Sequence, residues 1–127
     1  MEIGSRSAAQ LMPSKTTNIF SDIPADLPKE HFFPLLAGEG MRIERIVSRG
    51  HSSPDEGWYE QSDDEWVMLL QGEAELSFED GRTLQMQPGD HLHIPAMQKH
   101  RVAWTPADQD TIWLAVHFAN GRPAQTE

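Results

Sequence analysis

Glu65-Trp66-Val67-Met68-Leu69-Leu70-Gln71-Gly72-Glu73-Ala74-Glu75-Leu76-Ser77-Phe78-Glu79-Asp80-Gly81 holds the plainest fold signal in the chain. Trp66 to Gln71 is a nearly continuous apolar run, and Gly72 ends it. From Glu73 to Glu79 the pattern alternates strictly, with Ala74, Leu76 and Phe78 on one side and Glu73, Glu75, Ser77 and Glu79 on the other. Successive side chains of a strand point to opposite faces, so this stretch reads as a half-buried strand. Asp80-Gly81 follows, a pair favoured in type I′ hairpin turns because both central residues need positive φ. Arg82 to Gln87 is then the returning strand, and Pro88-Gly89-Asp90 is a second turn.

The same texture extends in both directions. His91 to Ile94 is a short strand stopped by Pro95. His100 to Thr105 and Thr111 to Phe118 follow, separated by the polar loop Pro106 to Asp110. Upstream, Met41 to Arg49 reads as a strand. Trp104 and Trp113 are large enough to anchor a core or an interface. No long helical period and no internal repeat appears. Many short strands separated by turns call for an all-β sandwich or barrel, in which closure also hides strand edges. Before the barrel, residues 17–40 carry Pro24, Pro28 and Pro34, too close together for a long helix. Ile19, Phe20, Ile23, Leu27, Phe32, Phe33, Leu35 and Leu36 lie among them, so this Pro-rich extension should drape over a barrel face or serve a dimer contact. Residues 1–16 and 119–127 read as a flexible lead-in and tail, with the barrel at 41–118.

Composition bounds the partners. A chain of 127 residues suits one domain. Its net charge of −10 opposes binding to a phosphate backbone or an anionic membrane. There is no cysteine, which excludes disulfides and thiolate metal sites. No leader with an apolar core follows Met1, and no apolar run is long enough to span a membrane, so a cytoplasmic protein is expected.

The stretch Gly89-Asp90-His91-Leu92-His93-Ile94-Pro95-Ala96-Met97-Gln98-Lys99-His100 resembles the second motif of the cupin family. Gly89, Pro95 and His100 fall in register, Met97 replaces a glycine, and Trp104 stands where an asparagine is frequent. Glu65 and Gly72 resemble the end of the first cupin motif. The resemblance implies a double-stranded β-helix, or jelly-roll barrel, commonly a homodimer. It also implies a metal centre of three histidines and one carboxylate. Here Glu65 and His100 are retained. The paired histidines are missing, and their places fall either on Tyr59 and Gln61 or on Trp58 and Glu60.

Two readings follow from that departure. Glu65 and His100, with Gln61 or Glu60 as a third oxygen donor, could hold a divalent metal such as Mn, Fe, Zn or Ni. Alternatively, the barrel is metal-free and the pair bonds to each other or to a ligand. Trp58 and Tyr59, in the acidic stretch Asp55 to Glu65, suit the wall of a small-molecule pocket. His51, at a strand end, suits a substrate contact or an acid–base role near the mouth. His91 and His93 share one face of a short strand but lie where the family places no ligand. His117 reads as a satisfied strand residue, His31 as structural or exposed, and Arg101 as facing away from His100. Three function classes stay open: a cupin-type enzyme, a non-catalytic binding module, and a dimeric structural barrel.

Overall fold

The computed structural model describes residues 14–119; most of the expected lead-in and tail, residues 1–13 and 120–127, lies outside the described residues. The described residues form eight strands: β1 (His31–Gly38), β2 (Met41–Ser48), β3 (Asp64–Gln71), β4 (Ala74–Phe78), β5 (Thr83–Met86), β6 (His91–Ile94), β7 (His100–Trp104) and β8 (Thr111–Phe118). They build a five-stranded sheet, ordered β1-β2-β8-β3-β6, and a three-stranded sheet, ordered β5-β4-β7. Every pairing is antiparallel. The last strand therefore sits between β2 and β3, in the crossing pattern of a jelly roll.

The expected alternation is realised. Ala74, Leu76 and Phe78 face inward from β4 and meet Val67, Leu69, Met86, Ile94, Trp113 and Ala115 in one core between the sheets. Gly72 turns the chain from the large sheet into the small one at φ 93°. A Cβ there would stand 2.5 Å from the Thr111 hydroxyl and 2.7 Å from the Thr111 Cα. Gly81 closes the β4–β5 hairpin at φ 99° but has open space around it. Met97 takes φ 68°, a left-handed conformation that glycine adopts without strain.

The Pro-rich extension contains a strand that its proline spacing obscured. β1 pairs with β2 from His31 to Gly38, with a register shift between Pro34 and Leu36. Proline lacks an amide hydrogen, and an edge strand tolerates that loss. Phe32, Phe33, Leu35 and Leu36 of this edge are exposed. The preceding segment packs on the outer face of the large sheet, where Leu27 and Ile23 meet Val47, Ile112 and Leu70. Two arginines of the β2 region hold its carbonyls. Arg45 donates to Ile19 at 3.2 Å and to Ser21 at 2.7 Å, and Arg49 donates to Ala25 at 3.0 Å. Trp104, a candidate core residue from its size, is instead 44% exposed, whereas Trp113 is buried.

These backbone positions give a graded expectation. Gly72→Ala should cost about 3 kcal/mol or more, because positive-φ strain adds to a collision with backbone. Gly81→Ala should cost only about 1 kcal/mol, since strain acts alone. Met97→Gly should gain up to about 1 kcal/mol, the relief of strain exceeding the added unfolded-state entropy. Urea unfolding of the three variants checks the order; equal losses at Gly72 and Gly81 would contradict it.

Candidate functional site

A cavity of about 220 Å³ lies between the sheets. That is below the roughly 300–1,000 Å³ of drug-sized sites, so only a compact molecule fits. Its walls are apolar where Val67, Leu76, Ile94 and Val102 face it, and its polar groups converge from both sheets.

β3 presents Glu65 from the large sheet and β7 presents His100 from the small one. Their Oε1 and Nε2 atoms are 3.4 Å apart, with both side chains buried. His100 Nδ1 lies 2.9 Å from the Gln98 carbonyl, which can only accept, so Nδ1 carries a hydrogen. When the imidazole is protonated, its Nε2 hydrogen faces Glu65 Oε1. Burial pulls the imidazole pKa down, but the bond to Glu65, the bond to Gln98 and the Glu65 charge together hold it above 6.5. The pair can give a proton to, or take one from, a group placed in the cavity.

The connection between β2 and β3 completes this wall. Tyr59 donates its amide to the His100 carbonyl at 2.8 Å and accepts the His100 amide at 3.1 Å. Ser53 and Val102 exchange a similar pair at 2.9 and 2.8 Å. This extra pairing on β7 puts the Tyr59 and His100 rings on one side, with centroids 5.7 Å apart. Gln61, two residues on, shares that side, while Trp58 and Glu60 are exposed and line no part of the cavity. Of the two placements left open for the missing histidines, Tyr59 and Gln61 is the one that faces inward. Burial pushes the Tyr59 phenol up; a bond to Ser53 opposes this, and the charges of Glu30, Glu65 and Glu44 add to it.

The remaining histidines divide. His51 does not line the cavity; its Nδ1 accepts the Arg49 amide at 2.8 Å. His93 Nε2 meets Asp64 at 2.7 Å, and His91 packs against Trp66, both away from the cavity. His117 is the satisfied strand residue that the alternation of β8 predicted. It is buried, lines the cavity, and meets Glu44 at 3.0 Å. Strand register puts Arg42, His117 and Glu65 side by side across β2, β8 and β3. The alternation of β8 already placed His117 on one face with Trp113 and Ala115; its partner on β2 was not visible in that pattern.

The donor set is a poor fit for a resident metal. Among the described residues no group of three His, Asp or Glu side chains converges on one point. Glu65 and His100 are two ligand types in contact, whereas catalytic zinc sites use three strong protein ligands; the cavity's other imidazole, His117, is engaged by Glu44.

Residues 42–117 match the family model of the cupin domain. The chain therefore belongs to the cupin family. It is similar to the crystal structure of a proposed mannose-6-phosphate isomerase from Ralstonia eutropha JMP134, with 47% identity, 83% of this chain and 98% of that one covered, and a TM-score of 0.77. A cupin superfamily protein from Desulfitobacterium hafniense DCB-2 is 22% identical, with 86% of this chain and 95% of that one covered and a TM-score of 0.68. An RmlC-like cupin from Desulfovibrio desulfuricans is 16% identical, with 84% and 97% covered and a TM-score of 0.67. These last two support the fold alone. No curated protein matches the chain.

Because the folded His100 pKa lies above 6.5, its pairing with Glu65 stabilises the fold fully below pH 6.5 and loses that contribution as pH rises through the folded value. In Glu65→Gln the burial effect should prevail over Gln98 alone, and the His100 midpoint should fall below 6.5. Ring-proton NMR titration of the two proteins measures this; an unmoved midpoint would separate His100 from Glu65.

Proposed function

We propose that this barrel binds a small polar molecule in its internal cavity and anchors it through the proton shared by Glu65 and His100, without a resident metal ion. The observation that carries the reading is the buried Glu65–His100 contact at 3.4 Å, opening on a cavity rather than packed into the core. A buried pair of this kind is costly to desolvate, and an apolar pair would fill the space at least as well. Tyr59 and Gln61, where a cupin would carry its paired histidines, supply neutral hydrogen-bonding groups instead. We propose the cytoplasm as its location, which a chain without cysteine suits.

The similarity to a proposed sugar-phosphate isomerase supports a ligand of metabolite size. The lining opposes a phosphate group. Glu30, Glu44 and Glu65 all line the cavity, and its basic side chains Arg42, His100 and His117 already sit against Glu44 or Glu65. A dianion would meet more carboxylates than free cations.

Protein purified without an affinity tag should carry substoichiometric Mn, Fe, Zn and Ni by elemental analysis. It should not convert mannose 6-phosphate, with or without added Zn²⁺ or Mn²⁺. Stoichiometric metal that disappears in His100→Ala, with the circular dichroism of the barrel unchanged, would overturn the metal-free reading.

A further inference from the structure

Two side chains that line the cavity each carry a buried polar atom with no hydrogen-bond partner among the described residues. Trp113 is 2% exposed, lines the cavity, and its indole Nε1 makes no hydrogen bond. Glu30, at the start of β1, also lines the cavity; the Ser48 hydroxyl donates to its Oε2, while its Oε1 is buried and unbonded. Buried polar atoms are nearly always satisfied, and leaving one unmade costs about 1–3 kcal/mol. The two orphans ask for different things: Trp113 offers a hydrogen and needs an acceptor, and Glu30 needs a donor.

Charge narrows the donor. The cavity's other two carboxylates each face a cation. Glu65 meets His100 at 3.4 Å, and Glu44 meets His117 at 3.0 Å and Arg42 at 3.8 Å. Among the described residues no ion pair reaches Glu30. The cavity lining it shares also includes the aromatic residues Phe32, Tyr59 and Trp113, a residue type that attracts cations.

We propose that the Glu30 end of the cavity is a subsite for the ammonium group of a small amine, and that Trp113 Nε1 donates to an oxygen of the same molecule. The ligand class is thus a compact amine that also carries a hydroxyl or carbonyl oxygen. This rests on the reading of the cavity as a binding site, and adds the charge and the two contact points of its ligand. An ammonium donates to Glu30 Oε1 and neutralises it. A neutral diol of the same size can bond to both orphans but leaves the carboxylate charge uncompensated.

The test compares aminopropanol with propanediol, two probes of one size that differ in charge at neutral pH. Binding is followed by NMR at the Trp113 indole hydrogen, assigned with Trp113→Phe, and at the His100 ring. Aminopropanol should shift both signals saturably, and propanediol should bind about tenfold or more weakly, since hydrogen bonds to charged groups contribute about 1.5–3 kcal/mol. Glu30→Gln should remove that preference and leave propanediol binding unchanged. If propanediol binds as tightly as aminopropanol, or if a folded Glu30→Gln keeps the preference, the ammonium subsite is overturned while the cavity reading stands. If neither probe moves either signal, both readings fail. The wild-type comparison decides the matter even where Glu30→Gln folds poorly.

Discussion

A backbone pairing away from the central strands organises the whole site. The β2–β3 connection, rich in acidic residues and without regular structure of its own, is stitched to β7 by the reciprocal amide bonds of Tyr59 with His100 and Ser53 with Val102. Amide groups left unpaired beside a sheet edge are costly when water is excluded. The connection therefore serves as a partial fourth member of the small sheet, and its side chains inherit the alternation of a strand. Tyr59 and Gln61 turn inward with His100, while Trp58 and Glu60 turn to solvent. Without that pairing the cavity would lack one wall.

The large sheet contributes charge in an ordered array. Arg42, His117 and Glu65 lie in one cross-strand row, with Glu44 one step along β2. Glu44 and Glu65 each have an imidazole within 3.0 or 3.4 Å, which makes a polar floor tolerable inside a barrel whose other walls are largely apolar. Glu30 breaks the rule. Its position at the entry to the edge strand β1 brings a carboxylate into the cavity lining with no ion-pair partner among the described residues. Tyr59 and Gln61, turned inward from the connection, add a phenol and an amide to the same lining.

The outer face shows how the extension earns its place in the fold. Apolar residues of the Pro-rich segment cover Val47 and Ile112, and Arg45 and Arg49 satisfy carbonyls that the prolines leave without regular partners. At the edge of the large sheet, β1 carries exposed phenylalanine and leucine side chains.

The all-β architecture, the β4–β5 hairpin and the retained Glu65 and His100 were legible in the residues themselves. Alternation, turn chemistry and motif spacing are local properties, and the chain states them within a few positions. The strand at His31–Gly38 was hidden because Pro34 argues against a strand unless it is known to lie at an edge. Which of residues 58–61 faces inward depended on pairing with β7, some forty positions away. The pairing of His117 with Glu44 spans 73 positions and needed β8 to insert between β2 and β3. Periodicity tells which side of a strand a residue occupies. What stands opposite it is decided only when strands distant in the chain are brought side by side, because that contact energy exists in no local segment.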